Sequence, residues 1–261
     1  MDDIASKFSL RDKVAIITGA SRGIGESIAE IYAKAEAKII ICSRKQLNVK
    51  EAVNRLKKLD CEILGIVANV SSTDDNKRII ETAMDWAGRV DILVNNAGAN
   101  PMVTTWADMP ESVWDKVFDV NLKAVFTLSQ LSFHAWMKKN GGSIINISSV
   151  AGFQTLSGVP AYNVSKAALI HMTRCLASEW GKFNIRVNAI APGLIKTQFN
   201  KAFRKTKQGE LFINNLPLGR IGRVDDISIA ALYLASDASS FITGHTMVID
   251  GGDLVKTEPR L

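Results

Sequence analysis

A single α/β domain is the fold class this sequence predicts, and three observations predict it. Short apolar runs rich in β-branched residues alternate along the chain with segments whose apolar residues recur at helical spacing. A glycine-rich turn, Gly19-Ala20-Ser21-Arg22-Gly23-Ile24-Gly25, separates the first such run from the first helical segment. The 261 residues contain no domain break, repeat or low-complexity tract. A chain of that size holds one large core without disulfide or metal staples.

Taken in order, Val14-Ala15-Ile16-Ile17 reads as a strand buried on both faces and stopped by Thr18-Gly19. Ile28, Ala29, Ile31, Tyr32 and Ala35 then mark a helix. Strand, glycine turn and helix in that order aim backbone N–H groups and a helix N-terminus at an anion. The glycines let a pyrophosphate approach the backbone, although their spacing is G-x-x-x-G-x-G and not the commoner G-x-G-x-x-G. Ile39-Ile40-Ile41-Cys42 is a second strand, ending at Ser43-Arg44-Lys45. An acidic residue here would hold a ribose 2′-hydroxyl, whereas arginine accommodates a 2′-phosphate. Ser43 stands in the acidic place, Arg44 follows it, and Arg22 can swing to the same corner. The expectation is NADP(H) over NAD(H); the plainer alternative is that Arg44 and Lys45 open a solvated helix.

Leu64 to Ala68 is a third strand, Ile79 to Trp86 closes a helix, and Ile92-Leu93-Val94 is a fourth strand running into Asn95-Asn96-Ala97-Gly98. Glu111 to Lys139 reads as one long helix, with Val113, Trp114, Val117, Phe118, Val125, Phe126, Leu128 and Leu131 as its apolar positions. Asn121 interrupts that face. A buried amide needs partners, so Asn121 is either a satisfied core group or part of a water-linked relay. Ile144 to Ile147 is a fifth strand and delivers Ser148-Ser149 to its carboxyl end, where open α/β sheets bind ligands. Ile185 to Ile190 is a sixth, ended by Ala191-Pro192-Gly193. Leu194 to Leu216 has weak periodicity and five basic residues, Lys196, Lys201, Arg204, Lys205 and Lys207. A segment of this length reads as a lid; its charge suits an anionic substrate or, as readily, a solvated helical face. Val224 to Leu234 is the last helix and Thr246 to Ile249 the last strand before Gly251-Gly252.

The chemistry is carried by Tyr162 and Lys166. The run after Tyr162 (Val164, Ala167, Ala168, Leu169, Met172, Leu176) is helical, so residues at i and i+4 share a face. A free phenol titrates at about 10. An adjacent ammonium favours the phenolate, and bringing the phenol near neutrality takes roughly 4 kcal/mol, which a close, partly desolvated charge can largely supply. Such a group exchanges protons with a carbonyl oxygen. A surface pair on an amphipathic helix is the bland alternative for so short a pattern.

Bulk composition excludes several classes. Charged residues are 22% and hydrophobic ones 47%, ordinary for a globular protein. The net charge of +6 permits an acidic partner, but basic residues are scattered and no aromatic-interleaved basic strip occurs, so nucleic acid is not expected as a partner. No apolar run nears the roughly 18 residues of a membrane span. Met1-Asp2-Asp3-Ile4 lacks the basic and apolar blocks of a signal peptide. Pro259-Arg260-Leu261 departs from peroxisomal Ser-Lys-Leu tripeptides at its first place and reads as an ordinary tail. Cys42, Cys61 and Cys175 are isolated and lack metal-ligand spacing; they fit reduced thiols in a cytoplasmic setting, with Cys42 and Cys175 expected in the core.

In this order, Thr18-Gly19-Ala20-Ser21-Arg22-Gly23-Ile24-Gly25, Asn95-Asn96-Ala97-Gly98, Ser149, Tyr162-x-x-x-Lys166 and Pro192-Gly193-x-x-x-Thr197 resemble the short-chain dehydrogenase/reductases, from about Leu10 to Gly252. The resemblance implies a Rossmann-type, doubly wound parallel seven-stranded sheet, order 3-2-1-4-5-6-7, with helices on both faces. It implies Tyr162 as general acid toward a carbonyl and Ser149, the second of the two serines, on the same oxygen. Lys166 would bind the nicotinamide ribose and depress the tyrosine pKa, and Asn121 would hold a water linking Lys166 to solvent. For the cofactor it implies Gly19, Ser21, Arg22, Gly23, Ile24 and Gly25 at the phosphates, and Ser43 and Arg44 at the ribose. Asn69 and Val70 would lie at the adenine, and Asn96, Ala97 and Gly98 along the adenosine side. Pro192, Gly193, Ile195 and Thr197 would lie at the nicotinamide. Asn69 replaces the family's usual aspartate; its amide oxygen can accept the same hydrogen bond.

Two branches are similar. Pro217-Leu218-Gly219-Arg220 and the Gly244 to Gly252 ending resemble 3-oxoacyl-acyl carrier protein reductases, which grip the carrier protein with two arginines. Asn140 and Phe183 stand in those places here, with Lys139 and Lys182 beside them, so an acyl carrier protein is not carried over as partner. Ser43-Arg44-Lys45-Gln46, Asn48-Val49, Asn100-Pro101 and Ala191 to Thr197 resemble the NADP-dependent carbonyl and retinal reductases. Both branches imply homotetramers. The expected activity is NADPH-dependent reduction of a ketone or aldehyde, with an NAD-dependent alcohol or sugar-acid dehydrogenase as the alternative and a silent dinucleotide sensor as a remote one.

Overall fold

The computed structural model describes residues 4–198 and 201–256. The terminal tripeptide considered above lies outside the described residues, as do Met1 to Asp3. Seven parallel strands form one sheet in the order β3-β2-β1-β4-β5-β6-β7. They are β1 (Val14–Thr18), β2 (Lys38–Ser43), β3 (Ile63–Val67), β4 (Ile92–Asn95), β5 (Gly142–Ile147), β6 (Ile185–Pro192) and β7 (Thr246–Ile249). The sixth strand continues through Ala191 and Pro192, which the sequence placed beyond its end. Pro192 pairs in register with Ile249 of the edge strand, a position where the missing N–H of proline is tolerable.

Alternation along β1 assigns the two cores. Ala15 and Ile17 face one side with Ile28 and Tyr32 of α1 (Gly23–Lys34), Ala52 of α2 (Gln46–Leu56), and Ile227 and Leu234 of α9 (Val224–Ala235). Val14 and Ile16 face the other, with Ile79 of α3 (Thr73–Ala87), Leu128 of α5 (Ala124–Ser132) and Ala177 and Trp180 of α7 (Pro160–Trp180). Ile16, Ile17, Ile39, Ile40 and Ile41 are all fully buried, and each contributes roughly 1.5–3 kcal/mol by leaving water. Hydrogen bonds lock α1 to α9: Tyr32 donates to the Ala231 carbonyl at 2.9 Å, and Ser27 lies 3.0 Å from Ser228 and 3.2 Å from Asp225.

The segment expected as one helix from Glu111 to Lys139 is helical throughout but not uniformly α. It runs as α4 (Glu111–Phe118), a π turn (Asp119–Lys123), α5, a second π turn (Phe133–Met137) and α6 (Lys138–Asn140). Asn121 sits in the first π turn, where the widened backbone turns its side chain wholly inward. Phe126, counted with the apolar face, is 48% exposed. Cys42 is buried, whereas Cys175, expected in the core, lies on the exposed side of α7. Its neighbours in sequence are apolar, but α7 turns Thr173 and Ala177 inward and position 175 out.

The expected lid is partly ordered by its own sequence. It carries a 3-10 turn (Phe203–Lys205) and α8 (Lys207–Asn214), whose N-terminus is capped by Thr206 accepting from the Gly209 N–H at 3.1 Å. No helix among the described residues is long and apolar enough to cross a membrane.

Candidate active site

The carboxyl ends of β1, β4, β5 and β6 converge on one cleft. Thr18, last residue of β1, organises its floor by accepting from the N–H groups of Asn96 and Ala97, both at 2.9 Å. Asn96 in turn donates to the carbonyls of Thr18 at 2.8 Å and Gly19 at 3.2 Å. Its side chain therefore braces the glycine turn expected to meet the dinucleotide. A Cβ at Gly25 would stand 2.4 Å from that amide, and Gly19 is held at φ +64°, so both positions need glycine. At Gly98 a Cβ would lie 3.7 Å from Asn121 Oδ1 and 3.9 Å from Lys166 Nζ. It belongs to the lysine end of the cleft.

β5 delivers two serines with different tasks. Ser148 is buried and donates to the Lys166 carbonyl at 3.0 Å, fastening the strand end to α7. Ser149 is hydrogen-bonded to the Tyr162 side chain, and its oxygen also accepts from the Ala151 N–H at 3.1 Å. Gly152 permits this approach, since a Cβ there would meet the Lys166 carbonyl at 2.9 Å. Tyr162 and Lys166 share a face of α7, with Lys166 Nζ 5.5 Å from the centre of the phenol ring. The ammonium is buried and donates to the Ile147 carbonyl at 2.8 Å.

Electrostatically, the pair differs from the expectation that Lys166 would depress the phenol. Burial raises the Tyr162 pKa, the Ser149 hydrogen bond pulls it partly back, and Lys166 makes no resolved contribution. Burial instead acts on the lysine, which falls from 10.5 to about 8. Both groups lost water together, and a lysine whose own charge is disfavoured is a weaker support for a phenolate.

Asn121 is a satisfied core group. Its oxygen accepts from the Ala99 N–H at 2.8 Å, and its amide hydrogens go to the Ala99 carbonyl and Ser165 Oγ, both at 3.0 Å. Ser165 donates to the Tyr162 carbonyl at 2.8 Å, a link the sequence reading missed. Its signal was position: three residues after Tyr162, it falls on the same helical face.

Toward the other end, α1 begins at Gly23, and Arg22 before it supplies no side-chain cap. The first-turn N–H groups thus point toward the cleft without a side-chain partner, as a phosphate requires. Gly23 adopts φ +65° and a Cβ there would reach Thr197 Cγ2 at 3.6 Å, so the lid begins directly across from the helix start. Ser21 donates to Ser43 at 3.0 Å, which sets the ends of β1 and β2 side by side. Arg22 and Arg44, one residue beyond each serine, are both exposed there. Gly193 packs on Asp250, where a Cβ would come within 2.7 Å of Asp250 Cα, and Ile195 is buried against Gly222. Val70 is buried in the core beneath the end of β3. Asn69 lies beyond the end of β3 with its side chain engaged by Ser71. Its oxygen accepts from Ser71 N and Oγ at 3.3 and 3.0 Å. The residues fit a dinucleotide: an uncapped helix start with glycine at its mouth, basic residues at one end, and the buried Lys166 with Gly98 at the other.

A family model described as enoyl-(acyl carrier protein) reductase matches residues 19–253. Dehydrogenase/reductase SDR family member 4 of Oryctolagus cuniculus is 41% identical over 244 residues, 93% of this chain and 94% of the relative. The chain belongs to the short-chain dehydrogenase/reductase family. Its namesake in Caenorhabditis elegans is 41% identical over 245 residues, covering 92% of this chain and 94% of that one. Among solved short-chain dehydrogenase/reductases, a 7α-hydroxysteroid dehydrogenase complexed with NADH and 7-oxo glycochenodeoxycholic acid superposes with a TM-score of 0.91 at 34% identity, covering 97% of this chain and 98% of that one. A gluconate 5-dehydrogenase from Burkholderia cenocepacia, in complex with NADP and tartrate, superposes at 0.92 with 30% identity, covering 98% and 100%. As a short-chain dehydrogenase/reductase the chain is an oxidoreductase on a fold that binds a nicotinamide dinucleotide and acts on small molecules.

Of the two positions that matter in carrier-protein reductases, Asn140 is exposed and donates to the Trp136 carbonyl at 2.9 Å. Phe183 props Phe133 edge-on, with ring centres 5.2 Å apart. Phe183 is thus occupied in the second core.

Proposed function

We propose that this oxidoreductase reduces a ketone or aldehyde with NADPH, Tyr162 giving the proton to the carbonyl oxygen. The observation that carries the reading is the cluster of Ser149, Tyr162 and Lys166 at the open end of β5. When bound, the reduced dinucleotide supplies the hydride. The protein's part is placement and proton delivery. Ser149 positions the substrate oxygen by hydrogen bond, and Tyr162, holding its proton because burial raises its pKa, donates it as negative charge develops on that oxygen. Lys166 anchors the nicotinamide ribose and steadies the resulting phenolate. Because both amide hydrogens of Asn121 are taken, any proton path past it runs along the backbone of its π turn.

NADP over NAD is supported by the serine bridge between β1 and β2, which sets Arg22 and Arg44 beyond neighbouring strand ends, with Ser43 in the place an acidic residue would take. Ile195 and Thr197 would hold the carboxamide end. A homotetramer is supported by exposed apolar side chains on α5, α7 and α9, namely Phe126, Val164 and Ile229. A cytoplasmic setting is supported by three unpaired cysteines.

The test is steady-state oxidation of NADPH and of NADH by the purified protein across acetoacetyl thioesters, α-dicarbonyls and retinal. Turnover with NADPH at a Michaelis constant well below that for NADH supports the reading. Preference for NADH, with oxidation of a sugar acid faster than any reduction, would establish the dehydrogenase alternative.

A further inference from the structure

Asp253 is a buried charge that the proposed reaction does not use. It is 2% exposed, and both carboxylate oxygens are occupied. Oδ2 accepts from Gln154 Nε2 at 2.9 Å and Oδ1 from Lys256 Nζ at 2.6 Å. Gln154 lies five residues after Ser149, in the loop that leaves the reaction site. The Lys256 ammonium, besides pairing with Asp253, sits 4.5 Å over the ring of Phe212 on the lid helix α8. Phe212 meets Phe203 edge-on at 6.0 Å, and Arg204 beside it donates to the Thr197 carbonyl at 3.2 Å.

These contacts form an unbroken path from the loop after Ser149, through the C-terminal turn, to the lid. The turn is closed by its own hydrogen bonds. Asp250 accepts from the N–H groups of Gly252 and Leu254, both at 2.8 Å. Gly252, at φ +91°, packs against Pro217 at the far end of the lid, where a Cβ would stand 2.7 Å from the proline ring.

We infer that Asp253, with Gln154 and Lys256, is a latch that holds the lid against the loop behind Ser149 and so sets the width of the substrate mouth. Asp253 is a positioning residue: it touches neither Tyr162 nor the dinucleotide cleft and acts through its two partners. As a statement about substrate width it rests on the reading of the Ser149–Tyr162 cleft as the reaction site; as a statement about the lid it does not. The two links are in series, so breaking either one frees the lid, and breaking both adds little. A freed lid lowers affinity for a bulky carbonyl that must touch both walls. A small one is unaffected.

The experiment compares Gln154→Leu, Lys256→Met, Lys256→Arg and the Gln154→Leu/Lys256→Met pair in the full chain with NADPH. The first readout is the rate of tryptic cleavage between Lys201 and Lys207, followed by mass, which needs no turnover. The expected result is lid cleavage faster by about tenfold in either single loss variant, no faster in the pair, and restored in Lys256→Arg. The KM of an aryl ketone should rise by about as much, with the KM of a two-carbon aldehyde and the Kd of NADPH within about twofold of the parent. Cleavage unchanged in Lys256→Met, or effects that multiply in the pair, overturns the latch. If no carbonyl is reduced by any variant, the proposed reaction fails while the cleavage rates still decide the latch.

Discussion

Lys166 Nζ stands 5.5 Å from the centre of the Tyr162 ring while donating to the Ile147 carbonyl at 2.8 Å. The ammonium is held by the strand and presented to the phenol, and burial brings its pKa down to about 8. Its charge is therefore lost as pH rises through that value, while Tyr162, with a raised pKa, keeps its proton. The kcat/KM for carbonyl reduction should be flat below pH 7 and fall as pH rises through about 8. Lys166→Arg should move that limb upward, because a guanidinium does not lose its proton in this range. A pH–rate profile of both proteins checks this.

The adjacent serines should separate cleanly. Ser149→Ala removes a donor at the developing oxyanion and should lower kcat by about 100-fold with little change in melting temperature. Ser148→Ala leaves the Lys166 carbonyl without its buried partner and should cost about 1 kcal/mol of stability. Its kcat should fall far less. Turnover and thermal melts on the two variants distinguish them.

Lys166 is expected to be a stability burden. Its folded pKa, about 8, lies below the ordinary lysine value of 10.5, so below pH 8 both states carry the charge and the folded state bears its burial cost in full. From about 8 to 10.5 the unfolded chain binds more protons and the parent gains stability with pH. Lys166→Met should thus be more stable than the parent at pH 7 by on the order of 1–2 kcal/mol, despite losing the bond to Ile147, and the advantage should shrink above pH 8. Urea unfolding at several pH values measures it.

At the cofactor corner, Arg44→Asp should weaken NADPH by roughly 10–100-fold, the loss of one or two charge-assisted hydrogen bonds. NADH affinity should hold or improve, since the new carboxylate can accept from a ribose 2′-hydroxyl. Cofactor titration by intrinsic fluorescence reads both.

Much of this molecule was legible because its signals are local. The strands are short apolar runs: β7 coincides with the expected Thr246–Ile249, and β1 and β2 differ only at their ends. The serine pair, Tyr162 and Lys166 fall at the end of a strand and on the following helix, and periodicity alone brings tyrosine and lysine to one face. What escaped depends on distance in space. The π turns around Asn121 and Phe133 leave the apolar spacing of α4 and α5 almost unchanged, so hydropathy does not record them. The direction of the Tyr162 shift turns on how much water both it and Lys166 lose, which no neighbour in sequence reveals. The amide of Asn96 braces Thr18 and Gly19, some 77 residues earlier, a contact that no local pattern announces. Gln154 and Asp253, 99 residues apart, carried no signal at all.

The most direct test of the central claim is a single-turnover measurement. Tyr162→Phe, saturated with NADPH and mixed with a reducible carbonyl, is followed by loss of the reduced nicotinamide absorbance. The phenyl ring keeps the packing and removes the hydroxyl, with its proton and its hydrogen bond to Ser149. Hydride transfer slower than the parent by about 10²–10⁴-fold, with the Kd of NADPH within about twofold, is the predicted result. Transfer at the parent rate would show that the proton comes from elsewhere and would contradict the role given to Tyr162.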